Sequence, residues 1–337
     1  MPLQAVFNYA RGAEGPRMES IEGESRPDSP LVATRCRVLD ARAHGAALRV
    51  RGDGVELLRV PRDAPDVGRL AGAPIKAAHA EMKPFFESVA RELTGAATTF
   101  CLPPLFRSDT PDKVAESGVT DTSRHASAIR PHDLVHNDYD ERFTTFLRKL
   151  AGESPAEVRQ FLSVRRGAGS APAADADVAR AVLRAKRVLV LQFWGSAQPR
   201  GTVIEQHTLA VCLPRSVAPG DLLPVPLPTY GGVRVGDGFN VCVAKAAGAP
   251  HHEWVHWPRL TRDEMLCFVG YDSKPRPMAP PLHSAFWDEG VAPGARPRQS
   301  FEIRVVCLLD DEETEFLPGG GNGRATAAPA KAATAAL

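Results

Sequence analysis

Short apolar, β-branched runs alternate with Gly- and Pro-rich turns along most of the chain, and helix-period stretches occupy only a few windows. Phe85, Phe86, Val89 and Leu93 recur at three- and four-residue spacing, which predicts a helix over Lys76–Leu93. Further helices are expected over Asp140–Leu150, Pro155–Leu162 and Ala173–Arg187. Strands are expected at Arg35–Asp40, Ala47–Arg51, Val55–Val60, Ala97–Leu102, Arg187–Trp194, His207–Pro214, Phe239–Ala244, Glu253–Pro258, Met265–Tyr271 and Phe301–Leu309. This order predicts a mainly β barrel or sandwich with helices packed outside.

The 337 residues suffice for one large domain or two ordinary ones. Strand candidates run across the middle without a clear linker, so one domain over 1–317 is expected, with its core at about 125–310 and an N-terminal extension over 1–124. The Gly/Ala-rich tail 318–337 has little to bury and is expected to be disordered; 163–176 reads as a Gly/Ala/Ser/Pro-rich connector. No apolar run approaches membrane-spanning length, and Met1–Arg17 lacks the pattern of a secretory leader.

Charge narrows the partners. Lys and Arg total 41 against 40 Asp and Glu, so no bulk field gathers nucleic acid or an anionic membrane; a small-molecule substrate is expected. The six cysteines lie far apart among apolar neighbours with no C-x-x-C, as free core thiols in a reducing, cytoplasmic setting would.

The Walker, dinucleotide-fingerprint, nucleophile-elbow and H-E-x-x-H patterns are all missing. What remains is histidine with carboxylate. On an extended chain an H-x-[DE] triplet puts both side chains on one face, so two metal ligands come from three residues. A second histidine from a distant strand would complete the two-histidine, one-carboxylate face of non-haem iron. The sequence holds three such triplets. His79-Ala80-Glu81 falls in the strongest helical window and reads as a solvated face, and His251-His252-Glu253 reads as a turn. His136-Asn137-Asp138 has an extended context.

Arg298-Gln299-Ser300, fifteen residues after His283, is the sole R-x-S of the chain and opens the strand Phe301–Leu309. A guanidinium offers a planar pair of donors to a carboxylate, and a hydroxyl two residues on adds a third. Such a pair suits the far carboxylate of a dicarboxylate whose 2-oxo acid end chelates the metal. Arg304 shares that strand face.

These blocks resemble a known family. Val135-His136-Asn137-Asp138-Tyr139, Glu264–Phe268 with Tyr271-Asp272-Ser273, Pro281–Phe286 and Pro297–Arg304 are similar to successive blocks of the asaB-like hydroxylase/desaturase family of fungal secondary metabolism. The likeness runs from about Asp40 to Leu309. It implies a double-stranded β-helix (jelly-roll, cupin-like) core, iron(II), 2-oxoglutarate and O2. By the same resemblance His136, Asp138 and His283 match the metal ligands. Arg298 and Ser300 match the cosubstrate clamp, with Arg304 as a second choice. The implied reaction oxidises an unactivated C–H bond of a small metabolite or amino acid by hydroxylation, desaturation or oxidative cyclisation. A cupin-like metal-dependent isomerase and a non-catalytic binding barrel are the alternatives.

One block departs from the family. Where an Asn-x-Trp-Arg run is usual, this chain has Gln192-Phe193-Trp194-Gly195, which suggests a substrate without the usual anionic group. Tyr139 and Trp194 are candidate pocket residues. Trp254, His256 and Trp257 read as packed aromatic core, and Asp272 as a turn acid. His132 is a possible substitute ligand, and Arg130 a possible support for the metal strand.

Overall fold

The computed structural model describes residues 3–12, 31–43, 47–110, 131, 133–163, 173–230, 233–274, 280–288 and 290–311. The 318–337 tail, Arg130, His132 and most of the 163–176 connector lie outside the described residues.

Among the described residues seventeen strands follow in chain order. The first six are β1 (Leu3–Ala10), β2 (Leu31–Asp40), β3 (Val55–Arg59), β4 (Thr98–Cys101), β5 (Leu105–Ser108) and β6 (His136–Asn137). Then come β7 (Arg187–Ser196), β8 (Leu209–Cys212), β9 (Leu222–Pro226), β10 (Thr229–Tyr230), β11 (Val233–Arg234) and β12 (Asn240–Ala244). The last are β13 (Trp254–His256), β14 (Glu264–Asp272), β15 (Leu282–Ala285), β16 (Trp287–Asp288) and β17 (Gln299–Leu309).

Two sheets face one another. The larger runs β16-β1-β2-β13-β8-β15-β6-β12-β9 and the smaller β3-β14-β7-β17-β4, with β5 also pairing β17. Between them Trp194, Leu266 and Phe268 of the smaller sheet meet Leu209, Val211 and Val255 of the larger. The 1–124 segment therefore supplies strands to both sheets.

The outer face of the smaller sheet is covered by the helix Ile75–Thr94, through Met82, Phe86 and Val89. The helices Phe143–Glu153, Pro155–Phe161 and Ala173–Arg184 close one end around Phe143, Phe161 and Phe239. The larger sheet curls, because β15 runs directly into β16, which pairs β1. Phe7, Tyr9, Trp254 and Phe286 fill that curl. Trp254 is fully buried and stacks on Phe7 with centroids 4.2 Å apart. Trp254→Ala is expected to cost about 3–5 kcal/mol, read by urea unfolding, from lost burial and the cavity left behind.

Several local expectations change. Ala47–Arg51 is not a strand: Val50–Asp53 forms a helical turn, in which Asp53 Oδ2 accepts from Arg49 N at 2.9 Å. Gly54 ends that turn at φ +77°, a left-handed conformation favouring glycine. The helix begun at Ala173 stops at Arg184, because Arg187 already belongs to β7 and pairs with Asp272 at 2.6 Å. Asp272 is thus an ion-pair partner as well as a strand end. His79 is not solvated: it is 4% exposed, and its Nε2 meets Cys101 O at 2.8 Å. All six cysteines are free. Among the described residues no helix is long and apolar enough to cross a membrane.

Candidate active site

Strand pairing builds the candidate metal centre. In the β6–β15 ladder His283 lies directly opposite His136, so both imidazoles leave the same face of the larger sheet, with centroids 4.4 Å apart. Asp138, two residues past His136, returns to that face. Its Oδ1 stands 3.3 Å from His136 Nε2 and 4.0 Å from His283 Nε2. All three residues are buried, and their ligand atoms lie within 4.8 Å of one another. Asn137 anchors the turn between them, its Nδ2 donating to Pro281 O at 3.1 Å and its Oδ1 accepting from Tyr139 N at 3.0 Å.

The neighbours fix which atoms face inward. His136 Nδ1 lies 2.7 Å from Leu134 O, so Nδ1 carries a proton and Nε2 is the nitrogen turned inward. Asp138 Oδ2 accepts from Arg304 Nε at 2.7 Å and Gln192 Nε2 at 2.9 Å. Asp138 Oδ1 accepts no hydrogen bond among the described residues. Burial alone would raise the Asp138 carboxyl, but the Arg304 charge, then His136 and His283, hold it well below the usual range. Burial, then the neighbouring His136, takes the His283 imidazole down to about 3, so it is neutral at physiological pH. The 3.3 Å between Asp138 Oδ1 and His136 Nε2 suits two atoms that share one cation.

The smaller sheet supplies the opposite wall. Its β17–β7 register sets Arg304 beside Gln192, Glu302 beside Trp194, and Ser300 beside Ser196, while Arg107 of β5 flanks Ser300. Arg298 is 1% exposed and sits over the Trp194 ring at 5.6 Å. Its backbone N donates to Asp109 Oδ2 at 2.7 Å and its Nη1 donates to His207 O. Neither Arg298 Nε nor Ser300 Oγ has a hydrogen-bond partner among the described residues. Burial takes the Arg298 guanidinium down to about 9, the mark of a cation short of an anionic partner. Arg298, Trp194, Phe268, His136 and His283 line one small cavity, together with Arg107 and Glu302.

Arg304 points elsewhere than Arg298: it is held between Asp138 and Glu302. Arg107 Nε pairs with Glu302 Oε2 at 3.3 Å. Glu302 had a readable signal, since it shares the strand face of Ser300 and Arg304; Arg107 had none, because β5 is four residues long. Tyr139 lies in the buried aromatic group with Phe143 and Phe239, its hydroxyl on that of Tyr230. Trp194 does face the cavity.

Gly195 changes meaning in the structure. Strand alternation turns it away from the cavity, and a Cβ there would stand 2.7 Å from Cε1 of Phe301. A side chain at 195 enters the layer beneath the long helix, so its absence says nothing about substrate charge. Gly195→Ala is expected to cost about 1–3 kcal/mol by overpacking, with iron and 2-oxoglutarate affinities unchanged in parallel titrations.

A family model described as "Oxidoreductase/YMDC permease-like domain" matches residues 7–308. The chain belongs to this family. It is also 36% identical, over 126 residues, to "Hydroxylase/desaturase efuI" of Hormonema carpetanum, a match covering 34% of this chain and 39% of that protein. The chain thus spans about two fifths of the length of the curated relative it matches. That likeness bears out the hydroxylase/desaturase resemblance. Two solved structures of iron and alpha-ketoglutarate-dependent endoperoxidase NvfI superpose on 92% of the chain and 98% of their own. One has a TM-score of 0.61 at 21% identity; the other, in a different conformation, has 0.63 at 20%. They establish the expected double-stranded β-helix fold.

Proposed function

We propose that the chain is an iron(II)/2-oxoglutarate-dependent dioxygenase that oxidises an unactivated C–H bond of a small metabolite or amino acid. The observation that carries this reading is the buried meeting of His136, Asp138 and His283 with an inward carboxylate oxygen that accepts no hydrogen bond among the described residues, facing the Arg298 guanidinium, whose Nε likewise has no partner among them. Two imidazoles and one carboxylate suit ferrous iron and leave positions open for other ligands. Bound there, iron(II) with 2-oxoglutarate and O2 supplies the oxidising power, with release of succinate and CO2.

The chain's own residues do the positioning. Leu134 O fixes the His136 tautomer, and Arg304 with Gln192 restrains Asp138 so that Oδ1 faces the other two ligands. Arg298 and Ser300 are the groups for the far carboxylate of 2-oxoglutarate, since both hold unspent donors in a dry wall. Trp194, Leu209 and Phe268 exclude water. An isomerase using metal as a Lewis acid has no use for the Arg298–Ser300 pair. Substrate placement decides among hydroxylation, desaturation and cyclisation. The names hydroxylase/desaturase and endoperoxidase carried by the relatives agree with oxidation at carbon.

Aerobic incubation with iron(II) and 2-oxoglutarate, alone and with candidate metabolites, tests the proposal by succinate release. Release that His136→Ala abolishes supports it; equal release from both proteins overturns the site assignment.

A further inference from the structure

A second cluster of ligand-bearing side chains lies on the other face of the larger sheet. Val135 and Leu282 pack with Phe7 and Trp254 in the curl, whereas His136 and His283 alternate to the opposite side. Near that curl Asp221, in the turn before β9, meets His251 and His252, in the turn before β13. We propose that Asp221, His251 and His252 form a second metal site, of the zinc type, that clips these two turns together.

The orientation of His252 carries the inference. The Tyr9 hydroxyl has three neighbours: Trp254 Nε1 at 3.0 Å, His252 Nδ1 at 3.1 Å and Cys36 Sγ at 3.8 Å. Indole is a donor only, so Tyr9 oxygen accepts from Trp254. Whichever of the two donates, the Tyr9–His252 bond fixes the imidazole so that Nε2 faces Asp221.

That Nε2 belongs to a side chain with 0% exposure and has no hydrogen-bond partner among the described residues, yet it stands 3.4 Å from Asp221 Oδ2. The separation matches the edge of a tetrahedron with metal–ligand bonds of about 2.0 Å, which is roughly 3.3 Å. His251 Nε2 lies 2.9 Å from the same oxygen on a half-exposed side chain, which gives the ion an entry path and room for a water. Asp221 Oδ2 also accepts from Ala218 N at 2.7 Å, which orients the carboxylate. Gly248 keeps the space open: a Cβ there would fall 2.7 Å from Asp221 Cγ and 2.9 Å from His252 Nε2. A histidine held through Nδ1 by a fixed oxygen, with Nε2 turned to a carboxylate, is the arrangement seen again at His136 and Leu134.

The full chain carrying His136→Ala and His283→Ala, which lacks the first cluster, is titrated with Co(II) while its visible bands are read, then displaced with Zn(II). One Co(II) per chain is expected, with a rise in melting temperature on adding Zn(II). His251→Ala on that background leaves the core untouched and is expected to weaken Co(II) by more than about tenfold, since even outer-shell partners cost that much. Independently, His251→Ala in the otherwise unaltered chain lowers zinc stoichiometry by one equivalent. A folded double variant that binds no Co(II), or unchanged zinc stoichiometry in His251→Ala, overturns the proposal. Neither outcome bears on the iron assignment.

Discussion

Asp138→Ala is expected to abolish stoichiometric iron(II) binding and succinate formation, and to destabilise the protein as well. The carboxylate does two jobs: Oδ1 faces the two imidazoles while Oδ2 neutralises Arg304. Removing one partner of a buried ion pair strands the other, at a cost of about 3–5 kcal/mol. Glu302, also on Arg304, keeps the loss toward the lower end. His136→Ala separates the two effects, because it deletes a ligand and leaves Arg304 paired. Iron binding should vanish in both variants, and the drop in unfolding free energy should be markedly larger for Asp138→Ala. Iron retained by both would remove these residues from the metal centre.

Arg298→Ala is expected to raise the 2-oxoglutarate dissociation constant by roughly thirty- to several-hundred-fold, equivalent to about 2–4 kcal/mol for a charge-assisted contact. The effect on the ligand-free protein is smaller. Burial disfavours the Arg298 cation, whose side chain has no carboxylate partner among the described residues, so its loss relieves a desolvation cost that partly offsets the lost packing on Trp194. Adding 2-oxoglutarate and iron(II) should therefore raise the melting temperature of the wild type far more than that of the variant. Equal shifts would move the clamp away from Arg298, and Arg304 is a poor replacement because Asp138 and Glu302 already hold it.

The long strands and the main helix were legible because their apolar periods are sustained: Arg187–Ser196 and Gln299–Leu309 announce themselves, as does the Phe86–Val89 face. Ligand spacing was legible because H-x-D on a strand shows one face whatever lies around it. The strand carrying His283 was not, since Leu282–Ala285 is four residues after a proline, too short for a period. Long-range pairings were equally hidden. Nothing local in Gln192 foretells its bond to Asp138, and nothing in Leu105–Ser108 foretells Arg107 beside Ser300. Gly195 shows the opposite error, in which a motif comparison suggested a lost substrate contact until strand alternation turned the position away from the cavity.

The central claim is that two histidines and an aspartate hold ferrous iron while the opposite sheet grips a 2-oxo diacid. Anaerobic titration with iron(II) and then 2-oxoglutarate tests it most directly, through the weak visible charge-transfer band of the chelate. A band that saturates at one iron per chain, is lost in His136→Ala and needs far more 2-oxoglutarate in Arg298→Ala is the predicted result. No band in the wild type, or a band indifferent to both substitutions, would contradict it.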